Sequence, residues 1–350
     1  MIFKKAKKPV VHLVDANNWI NRAYHATPEM HTSDGTPTNA LKGFFNMVNS
    51  LYKKITAAGQ EPYIVICFDI ARRKTFRAQI FNEWKKRDPE LVDVLFPDKQ
   101  KQSYKGNRKQ DKNKSEDLGI QIELAKEIID LAGFCWFDGN KINQPVEADD
   151  IIGTLAFTLD PKKCLCLIQS RDKDFKQLLT RRRVRLFMPE QANSPSDLYT
   201  MDNMFAKDGL YPHQQIEFLM MDGDKVDNIA GVPGCGPATA IKLLDQWGSI
   251  KNIIEKAPRI KGREARAART LAGLEVDVTE SIWHEGKEKK TKVKRVLPCP
   301  DLTVNRELAT IRTDVPGLPT KLKQIRMREP NNKELRKMRD TLEFSNLLWV

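Results

Sequence analysis

Acidic side chains crowd one stretch of this chain. Glu147-Ala148-Asp149-Asp150 opens an apolar helical pattern, Ile151 to Ala156. A short strand-like run, Cys164 to Ile168, then leads into Ser170-Arg171-Asp172-Lys173-Asp174. Carboxylates held close together repel one another and raise each other's pKa unless a cation shares the site. Clustered hard oxygen donors are what Mg²⁺ or Mn²⁺ bind. The same residues have a plainer use: Asp149 and Asp150 would complement a helix dipole, and Asp172 would cap the next helix. The acids alone favour the plainer use, because acidic helix starts are common. The rest of the chain reverses that balance.

The elements that must position these acids are readable. Val10 to Asp15 is a compact apolar strand ending in an acid, and Tyr63 to Asp69 is a second. Phe134 to Phe137 and Cys164 to Ile168 are a third and a fourth, with Val184 to Phe187 as an edge strand. Leu41, Phe44, Phe45, Val48, Leu51, Tyr52 and Ile55 recur at helical spacing and read as a core-facing helix. Strands alternating with helices predict an α/β fold, a mostly parallel sheet with helices on both faces. Ligands of such sheets bind outside the strand carboxyl ends. Asp15, Asp69 and Asp172 all fall there, so together with the Glu147 helix start they form a convergent acidic pocket.

The 350 residues suit about two domains. The balance of 59 Lys and Arg against 46 Asp and Glu, a net +13, points to a polyanionic partner, nucleic acid or an anionic membrane surface. The six cysteines form no C-x-x-C pair and sit mostly in apolar runs, which implies reduced thiols in a cytosolic protein. No apolar run approaches the ~18 residues of a membrane span, and no signal peptide is expected.

The positive charge is bunched. From Phe96-Pro97-Asp98 the chain passes through Lys99, Lys101, Tyr104, Lys105, Arg108, Lys109, Lys112 and Lys114 with almost nothing apolar. Such a stretch cannot fold alone: it reads as a solvated loop, as an electrostatic guide for a phosphate backbone with Tyr104 available to stack on a base, or as both, ordering on binding. Asp224 and Asp227 follow, three apart, and then Gly231-Val232-Pro233-Gly234-Cys235-Gly236-Pro237-Ala238-Thr239-Ala240 leads into a helix carrying Lys242. Glycines at a helix start let backbone N–H groups approach a phosphate, although a tight turn between helices also needs them. Arg259, Lys261, Arg263, Arg266 and Arg269 form a second basic stretch. A basic loop around Lys287 to Arg295 reads as an insertion, and a last helix pattern spans Asn332 to Leu348.

In this order the motifs resemble the 5′-nuclease superfamily, above all the 5′-nuclease domain of bacterial family A DNA polymerases and stand-alone phage or bacterial flap endonucleases. The resemblance rests on Leu13-Val14-Asp15, Arg22-Ala23-Tyr24-His25-Ala26, Phe68-Asp69, Lys74 to Arg77, Tyr104 to Arg108, Glu147 to Asp150, Asp172-Lys173-Asp174, Gly223-Asp224, Asp227-Asn228, Arg312-Thr313-Asp314 and Leu342-Glu343-Phe344. It implies a PIN-like catalytic domain over residues 1–200 with a basic arch at about 97–116. Residues 201–350 would form a helix–three-turn–helix DNA-binding subdomain with a basic insertion at about 282–305. One Mg²⁺ or Mn²⁺ would be held by Asp15, Asp69, Glu147 and Asp149, and a second by Asp172, Asp174, Asp224 and Asp227, with Asp150 in support. Lys105 and Arg108 would act on the scissile phosphate, beside Arg22 and His25. The turn at Gly231, Gly234, Gly236 and Thr239, with Lys242, would clamp duplex DNA and can hold K⁺.

The function this implies is a two-metal 5′-3′ exonuclease and 5′-flap endonuclease of replication and repair. It would act as a cytoplasmic monomer, in a bacterium or a phage-infected cell, on DNA 5′ ends, flaps or RNA/DNA primer junctions. No membrane role is expected. A PIN-type ribonuclease would share the acidic pocket but not the glycine turn or the Asp224/Asp227 pair. A non-catalytic DNA-binding module would be expected to lack some of the acids, and here none is missing.

Overall fold

The computed structural model describes residues 8–107, 112–191, 194–284 and 287–348. In chain order the first elements are β1 (Val10–Asp15), α1 (Ala16–Ala26), α2 (Asn39–Ala57), β2 (Tyr63–Cys67), α3 (Phe76–Arg87), α4 (Pro89–Leu95) and α5 (Lys112–Leu131). Then come β3 (Cys135–Phe137), α6 (Ala148–Thr158), β4 (Leu165–Gln169), β5 (Val184–Met188), β6 (Asp197–Tyr199), α7 (Met204–Asp208) and α8 (Gln215–Asp222). The last are α9 (Pro237–Trp247), α10 (Ile250–Lys256), α11 (Ala265–Leu271), β7 (Val276–His284), β8 (Lys287–Arg295), α12 (Leu302–Ala309) and α13 (Asn332–Thr341).

The apolar runs of β1 and β2 are buried along their full length, as central strands covered on both faces must be. The sheet order is β3-β2-β1-β4-β5-β6, parallel except for the last pair. The chain moves outward from β1 to β3 and then returns to start β4 on the other side of β1. The point between β1 and β4 is therefore a topological switch, where a crevice opens at the strand carboxyl ends. Helices α1, α2, α5 and α13 bury Trp19, Phe44, Phe45, Ile128 and Leu335 in one core cluster with Val14, Ile64 and Ile66. The apolar helix α6 contributes fully buried Ile151, Ile152 and Leu155.

By internal contacts the chain divides into two units, Met1–Thr75 with Gln110–Asp202 and Ile311–Val350, and Phe76–Lys109 with Asn203–Thr310. A linear division near residue 200 meets one of the four points where the chain passes between them. The second unit has its own core, in which Phe81, Trp84, Val92, Phe96 and Tyr104 pack with Leu219, Ile229, Val304 and Leu308.

Several local expectations need correcting. The strand β5 is not an edge, because β6 pairs with it antiparallel through Leu186↔Tyr199 to Met188↔Asp197. The last helix stops at Thr341: Glu343 turns to φ 55°, and Leu342, Phe344, Leu347 and Leu348 fold back into the core. The basic insertion is not a loop from 282 but an antiparallel hairpin, β7–β8, starting at Val276. The polar stretch from Phe96 to Asn107 is ordered by partners distant in sequence.

Candidate active site

The crevice at the switch point is stitched together by its own acids. Asp15 ends β1 and caps α1, accepting from the Asn18 N–H at 3.0 Å and from the Ser170 hydroxyl at 2.9 Å. Ser170 Oγ in turn accepts from the Asp172 N–H at 3.0 Å, and Asp172 caps the following 3₁₀ turn by accepting from the Asp174 N–H at 2.8 Å. After β2, Asp69 donates its N–H to Asn17 Oδ1 at 2.9 Å and accepts from the Ala148 N–H, at the start of α6, at 2.8 Å. The ends of β1, β2 and β4 and the start of α6 are thus tied through side chains of Asp15, Asn17, Asp69 and Ser170.

Electrostatics follow from this crowding. Burial first, and then the charges of Asp69 and Asp172, push Asp15 up to about 7 against the opposing bonds from Asn18 and Ser170. Burial raises the Cys67 thiol well above its ordinary value, and the charges of Cys135, Asp15, Asp149 and Asp69 add to the rise. Asp149 therefore lies in the same negative field. The donor chemistry, several carboxylates that penalise each other's ionisation, fits a divalent cation. Among the described residues, no group of three or more His, Cys, Asp or Glu side chains is already closed around one point. The acids are gathered without forming a finished cage.

Asp150 differs from its neighbours. It is fully buried, and its oxygens accept from the Glu147 N–H at 3.1 Å and the Arg312 N–H at 2.9 Å. The first bond completes a reciprocal capping box at the start of α6. For Asp150 the plainer reading from the sequence describes what is seen.

Arg22 and His25, both on α1, line a surface depression of about 460 Å³ with Asn18, Asn21, Arg171 and Gln191. The Arg22 guanidinium is shifted below its usual value, first by burial and then by the neighbouring Arg171 charge. It donates to the Glu190 carbonyl, while Arg171 Nη1 donates to the Pro189 carbonyl at 2.7 Å. Two fixed guanidinium groups therefore face one depression. Sequence reasoning passes over Arg171, although its place between Ser170 and Asp172 is the available signal.

In the second unit, Tyr104 is not free to stack on a base. It is 3% exposed in the core around Phe81 and Trp84, and its hydroxyl donates to Asp227 Oδ2 at 3.2 Å. Lys105 is buried beside it with left-handed backbone, φ 57°. Its N–H donates to the Asp227 carbonyl at 2.9 Å, and its Nζ lies 3.8 Å from Asp227 Oδ2. Asn228 Nδ2 donates to the Lys101 and Ser103 carbonyls at 2.8 and 2.9 Å, and Asn107 Nδ2 donates to the Lys225 carbonyl at 2.9 Å. These distant partners order a stretch whose own composition could not. Asp224 Oδ1 accepts from the N–H groups of Val226 and Asp227, at 2.7 and 3.1 Å, holding the partner loop in shape. Arg108 lies outside the described residues.

The glycines of the turn divide by role. A Cβ at Gly231 would lie 2.3 Å from the Asp222 carbonyl oxygen, so packing demands glycine there. Gly234 has φ +84°, and a Cβ would meet Arg266 Cδ at 2.9 Å. Gly236 is the N-cap of α9 in extended backbone, with open space where a Cβ would be. Thr239 is half-buried in the first turn of α9, and Lys242 is paired with Glu264 at 2.6 Å.

Residues 10–209 match the family model of the 5′-3′ exonuclease N-terminal resolvase-like domain, and residues 210–333 that of the 5′-3′ exonuclease C-terminal SAM fold. A 5′-3′ exonuclease of Aquifex aeolicus is 31% identical over 299 residues, covering 83% of this chain and 88% of that protein. The thermostable DNA polymerase I of Thermus thermophilus is 30% identical over 339 residues, covering 97% of this chain. The chain spans only 32% of that polymerase's length. Among solved structures, the zinc-bound 5′-exonuclease of T5 matches with a TM-score of 0.52 at 18% identity, covering 75% of this chain and 85% of that one. The catalytic core of Rad2 in complex with a DNA substrate matches with a TM-score of 0.55 at 16% identity, covering 99% and 89%. These two likenesses concern the fold; the family models and the Aquifex relative carry membership, and this chain belongs to the 5′-3′ exonuclease family.

Proposed function

We propose that this member of the 5′-3′ exonuclease family, a metal-dependent nuclease acting on DNA, hydrolyses phosphodiester bonds at 5′ ends and 5′ flaps, including RNA/DNA primer junctions. The observation that carries the reading is the gathering of Asp15, Asp69 and Asp172 at three strand carboxyl ends, where burial first and then the neighbouring carboxylate charges push Asp15 up to about 7. Asp15, Asp69, Glu147, Asp149, Asp172 and Asp174 would hold divalent ions, two in number, Mg²⁺ or Mn²⁺. Such ions supply Lewis-acid charge that activates water and stabilises a leaving oxygen. Asp150 supports them indirectly, by fixing the start of α6.

The chain's own residues do the rest. Arg22, Arg171 and His25 bind and orient phosphates of the 5′ strand in their depression. Lys105 offers fixed positive charge to phosphoryl oxygens, where a preorganised donor acts most strongly, and Arg108 is assigned to the same phosphate. Asp224 and Asp227 are retained as proposed metal ligands, and Asp227 also accepts the Lys105 N–H through its carbonyl. The turn from Gly231 to Thr239, read as a helix–three-turn–helix clamp on a PIN-like nuclease, receives the duplex backbone at the open Gly236 end, with K⁺ as its companion ion. No described helix is long and apolar enough to cross a membrane; the enzyme is proposed to work as a cytoplasmic monomer.

The test uses a labelled 5′-flap DNA and a single-stranded RNA, with Mg²⁺ and with chelator. Cleavage of the flap in Mg²⁺ alone is expected. Full cleavage in chelator, or cleavage of the RNA with the flap intact, would overturn the reading.

A further inference from the structure

The hairpin β7–β8 has two unlike faces. The register pairs Val276 with Arg295, Val278 with Val293 and Glu280 with Thr291 on one face, and Asp277 with Lys294, Thr279 with Lys292 and Ser281 with Lys290 on the other. On the first face Val276 is buried, Val278, Glu280, Thr291 and Val293 are half-buried, and Arg295 is engaged by Glu280. That face is the one held to the body of the unit, where Arg269 Nε of α11 also fastens the approach to β7 by donating to the Glu275 carbonyl at 2.7 Å. On the second face Asp277, Thr279 and Ser281 and, opposite them, Lys290, Lys292 and Lys294 are all exposed. No ion pair among the described residues engages Lys290, Lys292 or Lys294. The nearest acid along β8, Glu288, is already taken by the Ser281 hydroxyl at 2.5 Å.

We infer that this lysine face is a second docking surface for duplex DNA backbone, extending the proposed clamp. The inference rests on the nuclease reading above and adds to it a substrate feature, the length of the duplex arm. The chemistry favours a phosphate ladder. Alternate residues of a strand lie ~7 Å apart, so Lys290 to Lys294 spans ~14 Å in a straight row. That length matches about four phosphates of one strand at 3.4 Å of helix rise each. Thr279, opposite Lys292, adds a hydroxyl donor for the same oxygens. Arg266 of α11 packs its side chain over Gly234 of the turn, and α11 leads straight into the hairpin.

The full chain with Lys290→Ala, Lys292→Ala and Lys294→Ala together is the test variant. All three side chains point away from the packed face, so the fold should survive, as circular dichroism would show. Binding is measured without catalysis, in chelator, across a salt series, on a flap with a long duplex arm, a flap with a short arm, and a single strand. The triple variant should flatten the plot of log affinity against log salt by ~2.7 units on the long arm, at about 0.9 for each phosphate that a lysine no longer neutralises. The short-arm flap and the single strand should change little. An unchanged slope on the long arm, with wild-type cleavage normal, would overturn this inference alone. The hairpin would then be a solvated edge whose lysines deter strand pairing. Equal losses on all three DNAs would also overturn it, because the surface would not be reading an extended duplex. If wild type neither cut nor bound the flap, the nuclease reading itself would fail.

Discussion

The acidic crevice and the Lys105 segment are built on opposite principles. The crevice stands on strand ends whose positions are dictated by a parallel register, and its acids are tied to backbone N–H groups of neighbouring elements. The Lys105 segment has no regular scaffold. It is held by one buried ring, Tyr104, and by amides reaching from Asn107 and Asn228. The lesson is that charge is fixed on this chain in two ways. A sheet fixes it as a consequence of folding, while a loop fixes it only through a few specific polar bonds. Damage should therefore differ: at the crevice the chemistry fails with the fold intact, and at the segment the positioning fails.

The largest expected effect lies at the crevice. Asp172→Ala should lower single-turnover flap cleavage by ~10³ or more, since it removes a proposed ion ligand and not a packing group. Binding of the same flap in chelator should be largely kept. A variant that cut normally but bound poorly would move Asp172 from the metal to the substrate.

The sheet beneath that crevice offers a test of stability. His12 on β1 is 1% exposed, with Nδ1 3.0 Å from Gln169 Nε2, and burial lowers it to about 4. Its folded pKa lies below its unfolded value, so the unfolded chain binds the proton more readily. The stability it contributes is complete above about pH 6.5 and declines as pH falls from there through 4, by about 3 kcal/mol in all. Denaturant melts of wild type and His12→Gln between those limits should show the excess slope in wild type only. Asp15, shifted in the other direction, is common to both proteins and cancels. Parallel slopes would mean that His12 is not buried as a neutral ring.

Lys105 sharpens the contrast. Lys105→Ala should reduce the single-turnover rate by ~10² while leaving affinity nearly unchanged, as for one preorganised electrostatic donor. A normal rate with reduced affinity would make Lys105 an ordinary phosphate ligand.

How much of this is legible depends on the range of the interactions involved. Asp15, Asp69 and Asp172 can be brought together from sequence, because strands alternating with helices put their carboxyl ends on one side. The bracing role of Asp150 can be suspected from its helix-start position, but its second partner, the Arg312 N–H, is 162 residues away. Tyr104 looks free because its neighbours in sequence are polar, whereas its packing partners run from Phe81 to Leu308. The hairpin β7–β8 reads as a loop because its lysines mask a period-two pattern in which Val276, Val278, Thr291 and Val293 are the inward members. Arg171 escapes notice because its value comes from Arg22, on another element.

The smallest effect separates two glycines two residues apart. Gly234→Ala should cost about 1 kcal/mol or more, because φ +84° and Arg266 both oppose a side chain. Gly236→Val, facing open space, should stay within about 0.5 kcal/mol of wild type, as surface changes do. It should nevertheless weaken duplex binding uniformly across sequences, with single-strand binding unchanged. Equal losses on both substrates would return the turn to a purely packing role.

The central claim, that the strand-end acids exist to hold divalent ions, is tested most directly by calorimetric titration of Mn²⁺ into metal-free wild type and into Asp15→Ala/Asp172→Ala, with flap DNA present. Saturable Mn²⁺ binding in wild type that disappears in the double variant, with DNA binding and fold retained, is the predicted result. Undiminished Mn²⁺ binding in the double variant would contradict the account.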